Sequence, residues 1–250
     1  MREIKRILVT GGTGYVGNNL TKMLAALHPK VEILSMSRQS PDAQRHADPY
    51  KSRFRNIQFI QGDCLHLEDS VASDAIARSD AVIHTVGALL DESSGYKQII
   101  QDVESGNILN KVKSIKDMGV VDIAKNFFNE FQKQQGSVRT TTYEQSLEAL
   151  NRDSLKNVAK VLADSVESKD EKKNLVFISA EPSVMPMLQK YSETKKEAEE
   201  FLLEDQAIIE NLARVILRPG MIWHNKQRQW AMPLKVANDI GYKLNKEVVQ

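Results

Sequence analysis

"TGGTGYVG", residues 10–17, decides the fold. It follows the apolar run "RILVT" and leads into "YVGNNLTKMLAALH", where apolar residues return at helical spacing. Gly11, Gly14 and Gly17 thus fall at the spacing G-x-x-G-x-x-G between a strand and a helix. The early glycines allow a tight turn and close approach of the backbone to a pyrophosphate. The last lets helix and strand pack closely, and the helix N-terminus offers free N–H groups to the anion. Thr13, Tyr15 and Val16, set among these glycines, complete the candidate cofactor contacts of the loop. The plainer alternative is that the glycines only turn the chain.

Outward from this loop, "VEILSMS", "NIQFIQGD", "DAVIHTVG", "NLVFISA" and "ARVILRPG" repeat the pattern of the first run: short, nearly continuous and rich in Val and Ile. Such strands are buried on both faces. Helical candidates lie between them, around "SVASDAIARS", "SLEALNRDSLKNVAKVLADS" and "YSETKKEAEEFLLEDQ". The alternation predicts an α/β fold with a doubly wound, parallel, Rossmann-like sheet, within one dinucleotide-binding domain spanning 1–250. Residues 91–142 interrupt the rhythm after the fourth strand and read as a polar insertion carrying a helix near "VVDIAKNFFNEFQKQ". A short C-terminal segment, 224–250, follows the sixth strand.

The strand ends carry the next information. A dinucleotide with a free ribose 2′-hydroxyl is met by a carboxylate at the end of the second strand, but here stand Ser37 and Arg38. With no carboxylate to repel it, a 2′-phosphate could sit against the guanidinium, so NADP(H) is favoured over NAD(H). A solvated surface arginine is the alternative. In "GDC", Asp63 could accept a hydrogen bond from an adenine amino group with Cys64 beside it, although Asp after Gly is also common turn chemistry. Thr85, Val86 and Gly87 end the fourth strand, where their small size would leave room for a nicotinamide.

Composition narrows the field without deciding it. The 34 basic and 33 acidic residues nearly cancel, so no bulk charge points to nucleic acid or an anionic membrane. Cys64 is the only cysteine, which excludes an internal disulfide. The early start of the first strand leaves no room for an ordinary cleavable presequence, and no apolar run is long enough to span a bilayer. The five histidines, His28, His46, His66, His84 and His224, show no ligand spacing, and no metal site is expected. In "YSETK", residues 191–195, Tyr191 and Lys195 share a helix face; Tyr242 and Lys246 in "YKLNK" repeat the spacing, so the spacing alone says little.

With "TGGTGYVG", "GD" at 62–63, "LNRDSLKNVAKVLA", "VFISA", "YSETK" and "LRPG" in this order, the chain resembles the short-chain dehydrogenase/reductase superfamily. The resemblance covers about residues 4–223, insertion apart. "VIHTVGALLDESSGYKQ", "FISAEPSVMPMLQKYSETKKEAE" and "ILRPGMIW" are similar to an atypical branch. That branch takes in fungal mitochondrial proteins of coenzyme Q biosynthesis and the dehydrogenase-like accessory subunit of respiratory complex I.

The resemblance implies that Tyr191 exchanges a proton with a substrate hydroxyl or carbonyl. It implies that Lys195 holds the nicotinamide ribose and lowers the phenol pKa from about 10. Asn151 matches the asparagine that braces a water or the lysine, with a surface asparagine as the alternative, and Pro219 and Gly220 match the turn that shapes the pocket wall. The helper hydroxyl departs from the pattern: Ser179 lies early and Ser183 late. Also implied are a mitochondrial location, a quinone-like or isoprenoid small molecule and protein partners in a mitochondrial assembly. A non-catalytic dinucleotide-binding subunit and an NADPH redox sensor are the rival readings.

Overall fold

Six apolar runs become six strands: β1 (Arg6–Thr10), β2 (Glu32–Ser37), β3 (Ile57–Gln61), β4 (Ala81–His84), β5 (Lys173–Ile178) and β6 (Leu212–Leu217). All pair in parallel in the order β3-β2-β1-β4-β5-β6. This is the expected doubly wound sheet. The order reverses between β1 and β4, and in such sheets ligands bind outside the carboxyl ends of the strands at that point. The computed structural model describes residues 3–68, 70–89, 142–168, 171–183 and 188–224, with Ala231 and Lys235. The expected insertion helix and Tyr242 with Lys246 lie outside the described residues.

The described chain falls into two compact units. The first holds the whole sheet, within residues 1–87, 148–179 and 194–217. Alternate strand residues feed two apolar layers. Leu8, Val82, Leu175 and Phe177 pack with residues of the helices α3 (Val71–Ala77), α4 (Ser154–Asp164), α5 (Gln189–Glu204) and α6 (Gln206–Asn211), such as Ile76, Leu155, Leu202 and Ile208. Ile7, Val9 and Ile33 pack with Leu20, Leu24 and Ala25 of α1 (Tyr15–Leu27). Each fully buried leucine such as Leu8 contributes about 1.5–3 kcal/mol, so the two layers hold the sheet against its entropy cost.

The second unit includes described residues at 88–89, 142–147, 180–183, 188–193 and 218–224. In it the 3-10 turn Tyr143–Gln145 precedes the helical segment that leads to α4, and the Glu181 N–H donates to the Pro219 carbonyl at 3.0 Å.

Three features depart from the expected elements. A short helix α2 (Pro41–Ala47) follows β2, capped by Ser40 with Pro41 in its first turn. Gln44 is its only buried residue, so it has no apolar period to read. The helix expected through residue 206 breaks at Asp205, whose side chain accepts from Ile208 N and starts α6. The helix before β5 carries a π-helical turn, Ala149–Asp153, ahead of α4.

Candidate functional site

The loop after β1 is a cradle in which side chains have no room. Gly11 has φ 69°, and a Cβ there would come within 2.9 Å of Thr85 Oγ1 and 3.2 Å of Val86 N. A Cβ at Gly17 would meet the Gly11 carbonyl oxygen at 2.3 Å. Gly12, which the G-x-x-G-x-x-G spacing leaves out, is as constrained: its Cβ would lie 2.2 Å from Ser35 Oγ. Gly14 is different, with φ −70° and only the Gly11 carbonyl oxygen near, at 3.2 Å; its need is not conformational.

Gly14 caps α1 without a side-chain hydrogen bond, and the first turn of α1 has no acidic residue. The N-terminal N–H groups of a helix of thirteen residues therefore face an anion without a competing carboxylate. Thr13 is exposed at the lip, and Tyr15 and Val16 are half-buried behind it. These features fit the pyrophosphate of a dinucleotide.

β4 brings its end against this cradle. Thr85 Oγ1 donates to the Thr10 carbonyl at 2.6 Å, which ties β4 to β1 at the switch point. Beyond it, a Cβ at Gly87 would stand 2.8 Å from Asn151 Oδ1 and 2.9 Å from Lys195 Nζ. Gly87, Asn151 and Lys195 are therefore brought together, from the segment after β4, the π-helical turn and α5. Asn151 is fully buried and its Nδ2 donates to Thr194 Oγ1 at 3.2 Å. π-Helical turns recur at functional sites because one extra residue re-aims a side chain.

Lys195 is 4% exposed. Its Nζ donates to the Ile178 carbonyl at 3.2 Å and lies 4.8 Å from the Phe177 ring centroid. Burial pulls its pKa down to about 7, opposed by the Glu199 carboxylate one turn further along α5. Tyr191 stands one turn before Lys195 on the same helix and is half-buried; the boundary between the two units falls between them.

Other expected residues are placed less directly. Ser37 is buried and accepts from Gln39 N, while Arg38 is exposed beside it. Asp63 Oδ1 accepts from Leu65 N at 3.0 Å, the turn chemistry that follows Gly-Asp. Cys64 packs its side chain in the core, where burial pushes the thiol up to about 12, and its carbonyl accepts from Asn157 Nδ2. Both groups are engaged within the fold. Ser179 donates its hydroxyl to Glu199 Oε1. In the second unit Gly220 lies beside Glu181, with Pro219 holding the Glu181 N–H.

Sequence reasoning missed three residues at this site. Glu199 is legible in hindsight, since it continues the Tyr191, Lys195 spacing by another four. Lys51 gave no signal; it is buried in a polar stretch and reaches the glycine loop. His84 lies within the fourth strand and, like the other histidines, shows no ligand spacing to mark it. It is fully buried, with Nδ1 at 3.0 Å from Thr10 Oγ1 and Nε2 at 3.2 Å from Ser154 Oγ, linking β1, β4 and α4. Burial pulls its pKa down to about 3, with Lys195 adding to the shift, so it is a neutral brace. Among the described residues no group of three or more His, Cys, Asp or Glu side chains could hold a metal, and no helix is long and apolar enough to cross a membrane.

Residues 7–109 match the model of the NAD dependent epimerase/dehydratase family, from β1 to beyond β4. A phenylcoumaran benzylic ether reductase of Ginkgo biloba is 31% identical over 119 residues, covering 46% of this chain and 33% of that protein. Among solved structures, UDP-glucuronic acid 4-epimerase from Bacillus cereus in complex with NAD is similar at TM-score 0.52 and 17% identity, over 89% of this chain and 59% of that one. A short-chain dehydrogenase from Streptomyces avermitilis gives TM-score 0.54 and 17% identity, over 91% and 69%. This chain therefore spans 33% of its curated relative and 59% of the epimerase. The fold and the glycine cradle are those of a Rossmann-like dinucleotide-binding sheet, and over residues 7–109 the chain is similar to the NAD dependent epimerase/dehydratase family.

Proposed function

We propose that this chain is an NADP(H)-dependent reductase-like protein that passes a hydride to or from a quinone-like or isoprenoid small molecule, in or beside mitochondrial coenzyme Q biosynthesis. The observation that carries the chemistry is the meeting of Gly87, Asn151 and Lys195 directly after the strand end that closes the glycine cradle. When bound, the dinucleotide supplies or accepts the hydride. Lys195, its pKa lowered by burial to about 7, is charged in about half of the molecules at neutral pH and presents a donor there in either state, and Asn151 lines the wall against which it rests. Tyr191, by the resemblance, holds and moves the proton at its Oη.

Arg38, exposed after β2 with Ser37 in place of a carboxylate, supports NADP(H) over NAD(H). The quinone pathway and the mitochondrial location rest on the resemblance of "VIHTVGALLDESSGYKQ" and "ILRPGMIW" to that atypical branch.

The test is complementation of a deletion strain, scored by quinone content and respiratory assembly together. Tyr191→Phe keeps the ring but deletes the proton donor, and quinone synthesis should fall by about 10²- to 10⁴-fold. A second reading, a non-catalytic dinucleotide-binding subunit with protein partners in a mitochondrial assembly, is favoured by one observation: Ser179, a candidate helper hydroxyl, donates to Glu199. Full rescue by Tyr191→Phe would select that reading.

A further inference from the structure

Lys51 is 1% exposed, in the 3-10 turn Lys51–Arg53 that follows α2. Its Nζ donates to the Gly12 carbonyl at 2.7 Å and to Ser35 Oγ at 2.6 Å, and lies 5.4 Å from the Phe59 ring centroid. Gly12 is held from the other side by its own N–H, which donates to the Met36 carbonyl at 2.9 Å. The position of Lys51 is fixed in turn by Asp48, whose Oδ1 accepts from Lys51 N at 3.0 Å. Asp48 Oδ2 accepts from Asn18 and Lys22 of α1 at 2.8 and 2.9 Å. A continuous chain of hydrogen bonds therefore runs from α1 through Asp48 and Lys51 to the middle of the glycine loop.

A buried ammonium is a costly filler. Taking such a charge out of water costs several kcal/mol, and an apolar side chain of similar volume would fill the same space without that cost. Its two short hydrogen bonds are the strong, charge-assisted kind, and one goes to the backbone of the loop that cradles the anion. We infer that Lys51 is a positioning residue for the dinucleotide: it clamps the Gly12 carbonyl from inside the fold and so fixes the loop in the shape that receives the pyrophosphate. The inference rests on the dinucleotide-binding reading of the loop, and goes beyond it in assigning a residue outside the motif.

Protonation matters to the clamp. Burial lowers the Lys51 pKa to about 8, with Asp48 opposing and Lys22 adding to the shift. The charged groups around it are Lys22 from α1, Asp48 at the end of α2 and Arg45 of α2, which lies 5.5 Å from the same Phe59 ring; β2 contributes the neutral Ser35. Above pH 8 the amine still donates but loses its charge, so the clamp weakens while the rest of the fold stays.

The experiment measures NADPH affinity by calorimetry at pH 7 and pH 9.5, and amide hydrogen exchange at Gly12 and Gly14 without nucleotide. Lys51→Met should bind NADPH about 10-fold or more weakly at pH 7, exchange faster at both amides, and show a smaller drop in affinity by pH 9.5 than the wild type, the remaining drop belonging to Lys195. Ser35→Ala, a smaller change, removes one partner of the ammonium and should move the wild-type affinity drop to lower pH. Unchanged exchange and affinity in Lys51→Met would overturn the clamp. Should that variant not fold, an unmoved pH profile in Ser35→Ala would overturn it instead. Faster exchange in Lys51→Met with no NADPH binding by the wild type at any pH would uphold the clamp on the loop and overturn its role for a dinucleotide.

Discussion

Ser179 donates its hydroxyl hydrogen to Glu199 Oε1, with both residues buried where the end of β5 meets α5. A hydroxyl so engaged braces Glu199, and its loss removes one hydrogen bond from a buried carboxyl group. Ser179→Ala should therefore lower the unfolding free energy by about 1–3 kcal/mol in urea titrations, with NADPH affinity unchanged. The opposite pattern, unchanged stability with hydride transfer down about 10²-fold, would return Ser179 to the chemistry.

The glycines of the loop should separate into two kinds. At Gly17 a methyl group meets the backbone of Gly11, which cannot move aside, so Gly17→Ala should cost about 1–3 kcal/mol and abolish dinucleotide binding. Gly14→Ala faces one contact at 3.2 Å from a backbone any residue adopts, and should fold normally. Thermal unfolding of the two variants side by side decides the matter. Equal destabilisation would mean that the loop has a different shape.

Arg38 is exposed at the end of β2, and its removal should not disturb the fold. Arg38→Ala should weaken NADPH binding by about 10- to 100-fold, the worth of a charge-assisted hydrogen bond to a phosphate, and leave NADH unaffected. Equal affinities of the unmodified protein for the two nucleotides would refute the NADP(H) assignment.

Stability should rise with pH from acid to about pH 9. The folded state binds fewer protons than the unfolded one at His84 between about pH 3 and 6.5, at Lys195 between about 7 and 10.5, and at Lys51 between about 8 and 10.5. In each window the unfolded chain holds more protons, so raising the pH favours the fold by up to about 1.4 kcal/mol per pH unit per group. Cys64 acts in the other direction above pH 9, because its thiol resists ionising until about 12 only when folded. Urea unfolding at pH 5, 7 and 9 should show the climb, and Lys195→Met should flatten it between 7 and 9. A maximum at pH 7 with no further gain would show that these lysines are solvated.

The strands, their parallel pairing and the glycine loop were legible because each is a local matter. A run such as "RILVT" is apolar on both sides of its pleat, and Gly11 takes a backbone angle that other residues resist. The same holds for the absence of a carboxylate at Ser37. What only the tertiary structure decided is which polar side chains serve the site. Lys51 lies 39 residues from the Gly12 carbonyl it clamps, and His84 lies 70 from Ser154. Nothing in the neighbouring sequence of either says that it is buried, since a lone lysine or histidine in a mixed segment is as readily solvated. The reading of Ser179 turned on the same point. It lies early after β5 for the helper hydroxyl that the resemblance implies, and Glu199, twenty residues on, comes close enough to take its hydrogen only once α5 packs on the sheet. Periodicity within one element carries the fold, whereas hydrogen-bond partners drawn from different elements exist only after the core has closed.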